Sequence, residues 1–220
     1  FDFLTRTLLT GPDERIRLAV VDAMGHRGVL DAIELLEPFV GLQDLMSYTA
    51  IVSIGRIAVR HERDDVFIRF LELPEKENEI LIQNVLQFLQ ERVTRIAFGE
   101  RLWNALFQMT RSGNLNVRYL SIGLLAHHPE PKTVQRILEI VETEENDAVR
   151  QICGDVLYAQ FRKSPAAVDF LMDRLGDSTA AERTIDMSIQ VLARLQQRPG
   201  LTYRMIEQLL NLAVRPHLAT

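Results

Sequence analysis

Asp13-Glu14-Arg15-Ile16-Arg17-Leu18-Ala19-Val20-Val21-Asp22-Ala23-Met24-Gly25 carries the apolar period of an amphipathic helix. Ile16, Val20, Ala23 and Met24 recur three or four positions apart, which places them on one side of an α-helix. Gly25 and Gly28 read as the stop, because glycine enters the left-handed region that ends helices at little cost. A second apolar-periodic run from Val29 to Val40 carries Ile33, Leu36 and Phe39, and Gly41 closes it. The local product is a hairpin of two amphipathic helices.

The same plan recurs five times. With the first helices aligned on Arg17, the equivalent positions are Ser47, Leu81, Arg118, Arg150 and Arg183, at intervals of 30, 34, 37, 32 and 33 residues. The spacing predicts helix pairs at 13–25 with 29–40, 44–60 with 63–72, 77–92 with 97–111, 115–127 with 131–142, 146–161 with 165–175, and 179–197 with 201–214. One hairpin cannot bury its apolar side alone, so a regular period of this length implies a stack in which each hairpin seals against the next. No strand pattern competes. The expected fold is all-α, a right-handed α-α superhelix of about six hairpins.

The first-helix sequence Asp13 to Gly25 resembles the first helix of a HEAT repeat of the short bacterial type. Asn146-Asp147-Ala148-Val149-Arg150 is similar to the same turn and helix start, and Asp177 followed by Arg183 fits the acidic-turn and arginine spacing of that family. The resemblance spans 11–214 and is sharpest in the first, fourth, fifth and sixth units. The second has Ser47 in place of Arg, and the third, around Leu81, departs furthest. Residues 1–10 read as the last helix of a preceding repeat or an N-terminal cap, and 215–220 as a tail. The apolar Phe1, Phe3, Leu4, Leu8 and Leu9, with no initiator methionine, predict that the array continues upstream in a longer chain or is covered there by a partner.

Composition narrows the function. Hydrophobic residues make up 47 % and charged residues 25 % of the 220, ordinary values for a folded chain. The net charge of -5 disfavours duplex nucleic acid, which is bound by neutralising its phosphates with clustered Lys and Arg. No apolar run reaches the ~20 residues that span a bilayer. A single cysteine, Cys153, leaves no internal disulfide framework and points to a reducing, cytoplasmic setting. Phosphate-cradling glycine loops, GxSxG elbows and HExxH metal motifs are absent from the sequence.

Several residues invite a chemical reading beside a structural one. Arg17, Arg118, Arg150 and Arg183 could form a ladder for an acidic ligand; the resemblance implies instead that they stack along one seam and bind turn carbonyls or acids such as Glu144 and Asp177. His127 and His128 diverge by about 100° on a helix, which suits a C-terminal cap better than one metal site. Cys153 lies on an expected inner face with no histidine near it in sequence, so it reads as core. Asp64-Asp65 and Glu144-Glu145 sit near predicted helix starts, where negative charge complements the dipole. Trp103 reads either as core or, if exposed, as a binding anchor.

In HEAT-like arrays the second helices line the concave face, and the resemblance implies that a partner docks there. The polar positions of those helices are Asp31, Glu34, Asp65, Arg69, Arg101, Asn104 and Gln108, followed by Arg136, Glu139, Asp169, Asp173, Arg204, Glu207 and Gln208. Their mixed charge predicts a protein or peptide partner, no DNA, no cofactor and no metal, and a scaffold or regulatory module without catalysis. Two alternatives stand beside it. One is a HEAT-like enzyme, either a bilin-lyase type wanting a chromophore-sized cleft or a glycosylase type wanting a basic concave face. The other is a regulatory appendage of a larger signalling or membrane protein.

Overall fold

The computed structural model describes residues 5–6, 13–41, 44–93, 98–128, 130–163, 169, 172–173, 182–194, 203, 207 and 210. Among them are ten α-helices, one short 3-10 turn and no strand. The helices are α1 Glu14–Arg27, α2 Ala32–Leu36, α3 Leu45–Arg60, α4 Asp64–Leu71, α5 Glu75–Arg92, α6 Glu100–Met109, α7 Leu115–Leu125, α8 Pro131–Thr143, α9 Asp147–Lys163 and α10 Glu182–Arg194. Most of the opening segment 1–10, most of the expected helices at 165–175 and 201–214, the tail, and the residues Asp177, Arg204 and Gln208 lie outside the described residues.

The first helices of four hairpins start in one way. Asp13 Oδ1 accepts from the Arg15 N–H at 2.8 Å, and Asp44 Oδ1 from the Ser47 N–H at 2.9 Å. Asn114 Oδ1 accepts from Asn116 and Val117, and Asn146 Oδ1 from Ala148 and Val149, at 2.8 to 3.2 Å. Each side chain satisfies N–H groups that the first turn leaves without helical partners. Counting four residues on from each cap reaches Arg17, Tyr48, Arg118 and Arg150. The cap register therefore puts Tyr48, one residue beyond Ser47, at the arginine position of the second unit. In the third unit Pro74 precedes α5 without a side-chain cap, and Asn78 interrupts it at φ -125° and ψ 20°. The weak sequence match there has a physical counterpart.

Two expectations for the first hairpin need correcting. Gly25 does not end α1, which continues to Arg27; it is Gly28, at φ 70°, that closes the helix through its N–H to the Met24 carbonyl. Gly25 is instead buried against the next hairpin. Ile16, expected in the core, is 47 % exposed, and Val20, Val21 and Met24 fill the inner side. The second helix is also shorter than 29–40. Pro38 has no N–H to give, so α2 tightens into the 3-10 turn Glu37–Phe39.

The chain divides into two compact units, 1–121 and 122–220, with the boundary inside α7. In the first unit, α1 packs on α3 and α3 on α5, while α4 of the second row packs on α6. The first unit thereby stacks first helix on first helix, and α4 on α6 in the second row, as helices stack in an α-solenoid. Its core joins Ile51, Ile54 and Ile57 of α3 to Ile82, Leu86 and Leu89 of α5, all close to fully buried. In the second unit α9 packs against both α8 and α10, around Val134, Ile137, Val156, Leu157 and Phe161.

Close approach between successive first helices depends on small residues. A Cβ built on Gly25 would stand 2.6 Å from Ser53 Cα, and one on Gly55 would stand 2.4 Å from the ring of Phe88. The carbonyls at the end of α1 are taken up by the following hairpin: Arg60 donates to Arg27 O at 2.9 Å and to His26 O at 3.1 Å, and His61 Nε2 donates to Gly28 O at 2.7 Å. Gly28 is needed twice, for its positive φ and because a Cβ there would collide with the Arg60 guanidinium.

Candidate partner-binding surface

Two of the repeated arginines tie the turns before their own helices. Arg118 Nη1 donates to the carbonyls of Ser112 and Gly113 at 3.0 and 3.2 Å. Arg150 Nη1 donates to those of Glu144 and Glu145 at 2.9 and 3.1 Å, the same offsets of six and five residues, and its Nη2 meets Asp147. At Arg17 the equivalent carbonyls, Gly11 and Pro12, lie outside the described residues. Arg183 departs from the pattern: it reaches back to Glu142 O and Glu144 O of the preceding hairpin, at 3.5 and 3.3 Å.

The second-row surface expected from sequence is solvent-facing in the first unit. Asp31, Glu34, Asp65, Arg69, Arg101, Asn104 and Gln108 are all exposed. Arg101, Asn104 and Gln108 recur at three and four residues along α6 and come together on one side of it. There they line a groove of about 450 Å³ with Ala105 and Met109 of the same helix and with Ile68, Leu71, Glu72 and Leu73 at the end of α4. Buried apolar side chains thus lie beneath three uncommitted polar tips. Among the described residues Arg101 has no carboxylate partner. Glu72 and Leu73 are the part that sequence reasoning missed; the helix end just before Pro74 was the available signal.

Other members of that set are already engaged. Arg69 is ion-paired with Glu37, and its guanidinium lies 5.7 Å from the Phe70 ring centre. Asp65 accepts two hydrogen bonds from Arg63, at 2.7 and 2.8 Å, and this pairing holds its carboxyl below the ordinary aspartate range. In the second unit Arg136 is half-buried and pairs with Glu139 at 3.1 Å. Asp169, Asp173 and Glu207 are exposed.

The remaining candidates resolve as follows. Trp103 is 8 % exposed with its ring 4.9 Å from that of Phe98, so it belongs to the core. Cys153 is fully buried, and that burial pushes its thiol up to about 12. His128 is buried, with Nδ1 3.0 Å from Thr133 Oγ1 and Nε2 3.2 Å from Glu130, while His127 is exposed. Glu75, which no motif singled out, fastens the turn before α7: it accepts from Ser112 Oγ and from the Asn114 N–H.

Residues 104–195 match the family model for HEAT repeats. No curated protein matches the sequence. Among solved structures the chain is similar to human deoxyhypusine hydroxylase in complex with glycerol, at 16 % identity and a TM-score of 0.43 over 90 % of this chain and 74 % of that one. It is also similar to an engineered protein at 14 % identity and a TM-score of 0.49, over 94 % and 95 % of the two chains.

Proposed function

We propose that this chain, a HEAT-like repeat protein, is a non-catalytic cytoplasmic module that holds a partner protein or peptide along its second-row helices. Stacked-repeat proteins commonly bind other proteins on such extended surfaces. The observation that carries the reading is the α4–α6 groove. Its polar groups, Arg101, Asn104 and Gln108, offer hydrogen bonds at the rim, and Ile68, Leu71 and Ala105 supply the apolar floor. Apolar burial with a few converging polar groups is the usual make-up of a recognition site. The mixed chemistry suits a peptide with alternating polar and apolar side chains. No helix among the described residues is long and apolar enough to cross a membrane.

The test is a selection of displayed random peptides on the 220-residue chain, followed by calorimetry of the selected peptides. Reversal of Arg101 to Glu together with Asn104→Ala and Gln108→Ala should weaken binding roughly a hundredfold, as loss of a central anchor cluster does. Arg69 and Arg136 are poorer targets because each already holds a carboxylate. Affinity unchanged in the triple variant would place the partner elsewhere.

A further inference from the structure

The C-terminal ends of α1, α3 and α5 enclose a groove of about 450 Å³ on the first-row side, remote in composition from the α4–α6 groove. Its wall carries His26, Arg56, Arg60 and Arg92, with Val59 and the ring of Phe88 behind them, and no carboxylate lines it. Three arginines in one groove stand out in a chain whose net charge is -5.

The four side chains are not equivalent. Arg56 is neutralised by Asp22 at 2.5 Å, and His26 lies 3.6 Å from the same carboxylate. Arg60 uses two of its five N–H groups on the His26 and Arg27 carbonyls, which leaves three. Arg92 stands 5.7 Å from the Phe88 ring centre and has no carboxylate partner among the described residues. Cations at helix ends are favoured by the dipole, and that accounts for Arg60 on α1. The dipole of α5 likewise favours Arg92 at its C-terminal end, and both guanidiniums keep unused donors on the open groove. Planar guanidinium forks in that state match carboxylates two hydrogen bonds at a time.

We propose that this groove is a second binding site, for an Asp- or Glu-rich peptide segment whose carboxylates are held by Arg92 and by the remaining N–H groups of Arg60. Electrostatic attraction of this kind sets specificity and falls with salt.

The experiment titrates the 220-residue chain into a fluorescein-labelled Asp-Glu-Leu-Asp-Glu-Phe peptide and into its Asn/Gln counterpart, read by anisotropy. The acidic peptide should bind roughly tenfold or more tighter than the amide peptide, and its affinity should fall as salt is raised. Arg92→Glu should cost roughly tenfold and Arg92→Gln a smaller factor, while Arg162→Glu, which removes an exposed cation of α9, should change little. Circular dichroism confirms that each variant is folded, and Arg92→Gln keeps the test alive if the reversal is not. Equal binding of both peptides, or losses with Arg162→Glu that match those with Arg92→Glu, would overturn the proposal. So would displacement of the peptide by inorganic phosphate at low millimolar concentration, which would make the groove a phosphate site.

Discussion

Arg150 Nη1 lies 2.9 Å from the carbonyl oxygen of Glu144, six residues earlier, and Arg118 repeats this bond to Ser112 one hairpin before. Arg150 and Arg118 thus close the turns before α9 and α7 through one nitrogen each, while Asn146 and Asn114 cap those helices. Hydrogen bonds to a charged group are worth about 1.5–3 kcal/mol, and the two carbonyls lose their partner together. Arg150→Ala should therefore destabilise the fold by about 2 kcal/mol, and Arg150→Lys by less, because one nitrogen, Nη1, serves both carbonyls and an ammonium can also donate twice. A lower urea midpoint at unchanged slope is the expected reading. A midpoint shift no larger than that of Arg162→Ala would show the bond to be incidental.

This feature was half legible. The recurrence of Arg17, Arg118 and Arg150 after an Asp or Asn is visible as spacing, and so is the stack that the spacing implies. What spacing could not show is which atoms meet. Arg183 sits at the expected period yet bonds the previous hairpin's carbonyls. Gly25 looked like a stop because glycine ends many helices, but here its missing side chain admits Ser53. In the binding surface, Arg101, Asn104 and Gln108 follow from helical periodicity alone. Their apolar floor depends on how α4 and α6 pack, and the engagement of Arg69 by Glu37 depends on contact across 32 residues. The basic groove was hidden for the same reason: His26, Arg56, Arg60 and Arg92 are scattered in sequence and meet only through stacking.

Glycine substitutions separate tight helix crossings from loose ones. Alanine gains about 1 kcal/mol over glycine within a helix. At Gly55 the added methyl would meet Phe88, which is 1 % exposed and stacked on Phe67 at 5.8 Å, so the ring has nowhere to retreat. Overpacking costs about 1–3 kcal/mol and outweighs the helix gain. At Gly154 the neighbour is the flexible thioether of Met187 at 2.9 Å, which can turn aside. Gly55→Ala should lower the thermal midpoint, Gly154→Ala should leave it unchanged or raise it, and Phe88→Leu should partly rescue Gly55→Ala. Equal effects at the two glycines would refute the crossing argument.

The Arg63–Asp65 pair predicts an acid-side effect. Hydrogen bonding from Arg63 lowers the folded-state pKa of Asp65; burial opposes it, and the charges of Arg63 and Arg69 add to the lowering. A depressed carboxyl stabilises the fold above its unfolded pKa, and the contribution is lost as pH falls through the folded value. Both side chains are close to half exposed, so the effect is small. Thermal midpoints of the parent and Asp65→Asn should differ at pH 7 and converge by pH 2. A constant difference across that range would remove Asp65 from the acid transition.

Cys153 supplies the alkaline counterpart. Its thiol is fully buried, and desolvation, followed by the nearby charge of Glu144, pushes it up to about 12, against a partial offset from Arg136. The thiolate is the reactive form, so the native chain should not react with an aromatic disulfide reagent at pH 8, whereas the chain in guanidinium should yield one thiol. The pH dependence runs opposite to that of Asp65. Unfolding lets the thiol ionise at its ordinary pKa, so above about pH 9 the unfolded state binds fewer protons than the native one and stability falls, by at most ~1.4 kcal/mol per pH unit, until the folded thiol itself ionises. Cys153→Ala should remove that slope while leaving a small cavity penalty at every pH. Prompt labelling of the folded chain at pH 8 would mean that α9 opens readily, and the packing of the second unit around Cys153 would have to be redrawn.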